Sequence, residues 1–85
     1  MRLKKEFITY PLDDNVIMVG SGNTSFKGMV KANPTAAFMI ECLKDEISEE
    51  ELVEKLLERY DADRKTIEKD VHSLIEKLRG IEALQ

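Results

Sequence analysis

Cys42 and His72 are the only cysteine and the only histidine in this 85-residue chain. A lone cysteine excludes an internal disulfide framework, and without a second thiol or imidazole at ligand spacing neither residue builds a zinc site. No apolar run approaches the roughly 18–20 residues needed to cross a bilayer, so the chain is not expected to span a membrane. The opening Met1-Arg2-Leu3-Lys4-Lys5-Glu6 is basic, but no apolar stretch of about 7–15 residues and no small-residue cleavage site follow it. The expected address is the cytoplasm. Positive charge is also in deficit, with 13 Lys and Arg against 17 Asp and Glu for a net charge of -4. That balance works against nucleic acid or anionic lipid, where attraction comes mostly from phosphate neutralisation by Lys and Arg.

An apolar content of 42% and a charged content of 35% suit a globular protein. The length supports a single domain, residues 1–85, with one modest core. The first third reads as strands and the rest as helices. Phe7-Ile8-Thr9-Tyr10 is β-branched and aromatic, and Pro11 bars it from continuing as an ordinary central strand. Asp13-Asp14-Asn15 supplies a turn, Val16-Ile17-Met18-Val19 a second strand, and Gly20-Ser21-Gly22-Asn23 a second turn. A third strand is expected over residues 24–31, with Phe26, Gly28 and Val30 on one face and Ser25, Lys27, Met29 and Lys31 on the other.

Three helices follow. Asn33 caps a free backbone N–H and Pro34 is preorganised for the first helical position, so helix one should span residues 35–44. Ile47-Ser48-Glu49-Glu50-Glu51-Leu52 reads as a capping box, with Ser48 and Glu51 exchanging bonds and Ile47 stapled to Leu52. Leu52, Val53, Leu56, Leu57 and Tyr60 then recur at helical spacing in an amphipathic second helix ending near Tyr60. After Asp61-Ala62-Asp63, a stripe of Ile67, Val71, Leu74, Ile75 and Leu78 predicts a third helix over residues 64–79, with Gly80 permitting the stop. Thr66, Asp70, Ser73 and Lys77 line one flank of that stripe; Glu68, His72 and Arg79 line the other. The expected fold is α+β, a three-stranded antiparallel sheet followed by three helices in a winged-helix-like arrangement.

No constellation for catalysis emerges. His72 reads as a solvated helix-flank residue and Cys42 as a packing residue. Glu49-Glu50-Glu51 belongs to a helix start, where acidic side chains complement the dipole. Gly20-Ser21-Gly22 lacks the Lys and Ser/Thr of a phosphate loop and joins two strands. No enzyme activity, metal or cofactor is expected.

Ala32-Asn33-Pro34-Thr35-Ala36-Ala37-Phe38 falls at the predicted junction of the third strand and the first helix. Glu41-Cys42-Leu43, Glu50-Glu51-Leu52, Tyr60-Asp61 and Asp70-Val71 follow in that order, and Phe26-Lys27-Gly28-Met29-Val30 precedes the junction. In this order and spacing the chain resembles the PqqD family, the coenzyme PQQ synthesis protein D type of precursor-peptide recognition element. That family has Leu-Asn-x-Thr-Ala-Ala-Phe at the same junction. The resemblance runs from about Glu6 to Leu84, with departures at Ala32 for Leu, Pro34 for an acidic residue and Ile40 for Trp.

The resemblance implies a non-catalytic peptide chaperone. The leader segment of a ribosomally made precursor would add as a strand between strand three and helix three and be delivered to a modifying enzyme, typically radical-SAM, in the synthesis of PQQ or a related modified peptide. An exposed sheet edge offers unpaired N–H and C=O groups to an extended peptide, and groove side chains add specificity. The residues so implicated are Phe26, Lys27, Gly28, Met29, Val30 and Lys31 at the edge and floor, with Thr66, Asp70, Ser73 and Lys77 as a helical rim. Each has a plainer reading beside it: Phe26 and Val30 as core, Lys27 and Lys31 as charges that blunt an edge, Gly28 as a bulge, and the helix residues as a solvated flank.

The main alternative is a winged-helix DNA-binding transcriptional regulator, which would present the third helix to a major groove. Composition opposes it, because Arg64, Lys65, Lys69, Lys77 and Arg79 are interleaved with Glu68, Asp70 and Glu76 and form no continuous basic stripe. A small enzyme, or a module that binds a folded protein, are the remaining classes.

Overall fold

The computed structural model describes residues 1–20 and 28–85. Its elements are β1 (Phe7–Leu12), β2 (Asn15–Gly20), β3 (Met29–Ala32), α1 (Pro34–Cys42), α2 (Glu49–Arg59) and α3 (Arg64–Gly80). This is the expected α+β fold. The strands form one antiparallel sheet in the order β1-β2-β3, which leaves β1 and β3 at its edges. The expected second turn and the start of the third strand, with Phe26 and Lys27, lie outside the described residues.

β1 continues through Pro11, which pairs with Val16. The strand is not stopped because it is an edge strand, where a residue without an N–H is tolerated. Asp13 and Asp14 alone form the hairpin loop, since Asn15 is already paired with Leu12, and Asp13 takes a φ of 57°. Strand alternation then separates two faces. Phe7, Met18 and Ala32 are buried against the helices, whereas Ile8, Tyr10, Leu12 and Met29 are exposed on the opposite face.

Helix starts follow local chemistry closely. The Ala36 N–H donates to Asn33 Oδ1 at 2.9 Å above Pro34 in the first turn. In α2 the Glu51 N–H donates to Ser48 Oγ and the Ser48 N–H donates to Glu51 Oε1, both at 3.1 Å, closing the capping box. Ile47 and Leu52 on either side of it are both buried, as a staple requires. Asp63 occupies the N-cap of α3 without a side-chain bond.

Helix ends follow the sequence less closely. α1 stops at Cys42, two residues short of the expected end, with Leu43 as its cap. Gly80 is the last residue of α3 and does not make the turn. The left-handed position is Glu82, φ 58°, where the Glu82 N–H donates to the Arg79 carbonyl at 3.0 Å and the Ala83 N–H to the Leu78 carbonyl at 2.8 Å. That bond pair is a Schellman motif with glutamate in the usual glycine position, and its companion apolar contact is supplied by buried Leu78 and Ala83.

Leu43, Leu52, Leu56, Val71, Ile75 and Leu78 are fully buried and tie the three helices together. Each buried aliphatic side chain contributes on the order of 1.5–3 kcal/mol. Residues 1–4 thread between the α1–α2 connection and the final residues. The Leu3 N–H donates to the Leu43 carbonyl at 2.8 Å, Lys4 to Ala83 at 2.8 Å, and Gln85 back to Arg2 at 2.7 Å. No helix among the described residues is long and apolar enough to cross a membrane.

Candidate functional site

β3 is four residues long, ends one sheet edge and runs directly through Asn33 into α1. One side of its backbone pairs with β2, from Val19–Met29 to Val16–Ala32, while the other side pairs with no strand among the described residues. Its inner face carries half-buried Val30 and buried Ala32; Met29 and Lys31 are exposed on the outer face, and Gly28 is exposed just before the strand.

Where β3 hands over to α1, a cleft of about 250 Å³ opens between the first turns of α1 and the middle of α3. Asn33, Thr35, Ala36 and Met39 line one wall, and Asp70, Ser73, Leu74 and Lys77 the other. The floor is apolar, made of buried Met39 and Leu74, and the rim is polar, with an amide, hydroxyls, a carboxylate and an ammonium group. That combination suits an extended peptide with one apolar anchor and polar neighbours.

Asp70, Ser73 and Lys77 are therefore brought together as the sequence pattern proposed, and they lie on the flank that faces the cleft. Thr66, one turn earlier, is exposed outside it. The strand residues Gly28, Met29, Val30 and Lys31 are not in the cleft; they precede it along the chain. The α1 wall was not anticipated. Its signal was the Thr35-Ala36…Met39 spacing, which places two small side chains and one long apolar one on a single helical face.

The two flanks of α3 differ in their partners. On the α2 side, Arg64 bonds Glu54 at 3.0 Å and Glu68 at 3.1 Å, and His72 Nδ1 lies 3.6 Å from Glu49. Arg79 bonds Glu76 at 3.3 Å. The two glutamates hold the Arg64 guanidinium in its charged form, raising its pKa. On the cleft side, neither Asp70 nor Lys77 is in an ion pair among the described residues. Opposite charges without an ion pair among the described residues thus sit at the cleft, while Arg64 and Arg79 are engaged by glutamates and the remaining Lys65 and Lys69 are interleaved with Glu68 and Asp70, which leaves no continuous basic stripe for phosphates.

Burial pushes the Cys42 thiol above its ordinary value, with Lys55 the largest opposing influence, and a raised thiol is a poor nucleophile. No group of three or more His, Cys, Asp or Glu side chains able to hold a metal ion occurs among the described residues.

Residues 14–83 match the profile of the family described as coenzyme PQQ synthesis protein D (PqqD). The chain belongs to the PqqD family. A comparison with curated sequences finds no match. Among solved structures, "TbiB1 in Complex with the TbiA(beta) Leader Peptide" superposes with a TM-score of 0.83 at 20% identity, covering 100% of this chain and 95% of that one. "Lasso peptide synthetase B1 complexed with the leader peptide" superposes with a TM-score of 0.74 at 23% identity, covering 93% and 89%. Both share the fold of this PqqD-family chain.

Proposed function

We propose that this PqqD-family domain captures the leader segment of a ribosomally made precursor peptide and presents it to a modifying enzyme, of the radical-SAM class in PQQ or related peptide biosynthesis, without doing chemistry itself. The observation that carries this reading is the edge of β3, unpaired among the described residues, running straight into a cleft whose polar rim, Asp70, Ser73 and Lys77, makes no ion pair among those residues. The fold shared with TbiB1 and lasso peptide synthetase B1, each solved in complex with a leader peptide, supports it.

The leader extends the sheet beside β3, with its main chain bonded to Met29–Ala32, and its continuation enters the cleft between α1 and α3. Every second residue of an antiparallel strand points its N–H and C=O to the same side, so four residues offer two outward pairs. At a net value of about 0.5–1.5 kcal/mol per hydrogen bond, four such bonds give roughly 2–6 kcal/mol. Association itself costs about 4–15 kcal/mol. Main-chain pairing alone therefore does not hold the peptide, and side chains in the cleft must supply the remainder. Leader recognition in this account consists of strand addition for register and the Met39–Leu74 floor with its polar rim for affinity. The cytoplasm, where precursor and enzyme are made, is the proposed location.

Isothermal titration with the leader peptide encoded beside this gene tests the reading, with a scrambled peptide and duplex DNA as controls. Saturable binding of the true leader alone is expected. Heat from DNA that falls steeply with salt, and none from the leader, would transfer the assignment to the regulator class.

A further inference from the structure

All four exposed large hydrophobic side chains among the described residues, Ile8, Tyr10, Leu12 and Met29, lie on the outer face of the sheet. Their exposures are 40%, 53%, 45% and 66%. The register explains the concentration: Ile8 pairs with Val19, Tyr10 with Ile17, and Val19 with Met29, so strand alternation gathers six apolar side chains from three strands into one patch. The helices cover the opposite face, where Phe7, Met18 and Ala32 are buried. The patch exposes on the order of 400 Å², within the roughly 300–600 Å² of the largest apolar patch on a typical monomer, a surface that is often functional.

We infer that this outer sheet face is the docking surface for the peptide-modifying enzyme, an inference that rests on the leader-binding reading above. Three observations select that occupant. A second copy of the chain is disfavoured by size, because two such patches alone bury about 800 Å² together, below the roughly 1,200 Å² of stable interfaces, whereas an enzyme that also covers the added leader strand buries more than the patch. It is disfavoured by charge as well, because each copy carries a net charge of -4 and ends the patch at the exposed acidic hairpin tip, Asp13-Asp14, with Lys31, opposite Ile17, the one cation among the described residues that the strands place on this face. Like charges brought together oppose pairing, whereas an enzyme surface with an apolar centre and Lys or Arg beside the tip complements both features.

The third observation is continuity. Met29 belongs both to the patch and to the edge strand that receives the leader. A strand added beside β3 turns alternate side chains toward this same outer face, so an enzyme docked here touches domain and leader together. Leader and enzyme then bind with positive cooperativity, since each completes part of the other's surface.

The test uses the intact domain and the peptide-modifying enzyme encoded in the same gene cluster, titrated with and without leader peptide. An Ile8→Thr/Tyr10→Thr double variant keeps strand-forming residues but removes the apolar surface. Enzyme affinity is expected to fall at least tenfold while leader affinity stays within twofold, and leader is expected to tighten enzyme binding to the wild type severalfold. Asp70→Ala/Lys77→Ala is expected to weaken the leader primarily. Unchanged enzyme affinity in the outer-face variant, with leader binding intact, overturns the docking surface and leaves the leader reading standing; loss of leader binding in the wild type overturns that reading instead. Sedimentation velocity resolves the remaining occupant: a wild-type dimer abolished by the variant, with enzyme affinity unchanged, gives the face to a second copy. Should the double variant melt without a cooperative transition, Tyr10→Thr alone carries the same comparison with a threefold or greater loss expected.

Discussion

Asp70 and Lys77 line the same cleft from one flank of α3, two turns apart, and neither forms an ion pair among the described residues. Arg64 and Arg79 on the same helix pair with glutamates, while Lys65 and Lys69 are without an ion pair among the described residues but do not line the cleft, so it is the cleft position that singles out Asp70 and Lys77. Leaving an opposite pair unspent at the mouth of an apolar-floored cleft preserves both for a ligand. Alanine at either position is expected to weaken leader binding by about 0.5–1.5 kcal/mol, roughly two- to twelvefold. Both side chains are exposed, so the melting midpoint should barely move. Titration calorimetry paired with thermal melts checks this; a large loss of stability would assign the residues to the fold.

Strand addition makes a stricter demand. In an antiparallel ladder, consecutive residues direct their N–H groups to opposite sides. Of Val30 and Lys31, one therefore donates toward β2 and the other toward the open edge. Proline at the inward position removes a ladder donor and leaves a β2 carbonyl unpaired, which should cost about 1–3 kcal/mol of stability. Proline at the outward one should leave stability nearly intact and weaken leader affinity by at least the about 0.5–1.5 kcal/mol of one bond, roughly two- to twelvefold. Equal effects of Val30→Pro and Lys31→Pro on leader binding and on melting would contradict edge pairing.

The boundaries legible in the sequence were those fixed by chemistry within three residues. Asn33-Pro34 and Ser48…Glu51 announced their helix starts because a cap is a bond between near neighbours. The pattern of α3 likewise separated the flank holding Asp70, Ser73 and Lys77 from the flank holding His72. Features that depend on packing were not legible. The α1 wall of the cleft exists because α1 and α3 meet across Met39 and Leu74, an encounter no local pattern encodes. Gly80 looked like the terminator of α3, yet the left-handed residue is Glu82, since Ala83 must be carried back over Leu78. Pro11 stayed inside β1 because the strand lies at an edge, which is a fact of sheet order.

The capping box of α2 yields a stability prediction with a pH signature. Bonds from the backbone and side chain of Ser48 hold the Glu51 carboxyl below its ordinary value. A depressed carboxyl contributes stability above its unfolded pKa and loses it as pH falls through the folded one. Ser48→Ala should cost about 1 kcal/mol near neutral pH, or roughly 4–8 °C in a domain of this size. The gap between wild type and a Glu51→Ala variant, which removes the titrating carboxyl, should narrow in acid, below the ordinary range of glutamate. A gap that stays constant down to pH 3 would contradict the linkage.

Asp13 occupies a positive-φ position in the β1–β2 loop. Glycine takes this conformation without steric cost, aspartate tolerates it, and alanine has no compensating side-chain bond. Thermal midpoints should rank Asp13→Gly at or above wild type and Asp13→Ala below it, with the extremes separated by about 1 kcal/mol. The reverse order would place the loop in a different turn.

An amide NMR titration of the domain with its leader peptide tests the central claim most directly. The account predicts shifts confined to β3, to Asn33 through Met39 and to the Asp70–Lys77 flank of α3, with newly protected amides at alternate residues of β3. Shifts on the α2 side of α3 around Arg64 and His72, with β3 unperturbed, would contradict it.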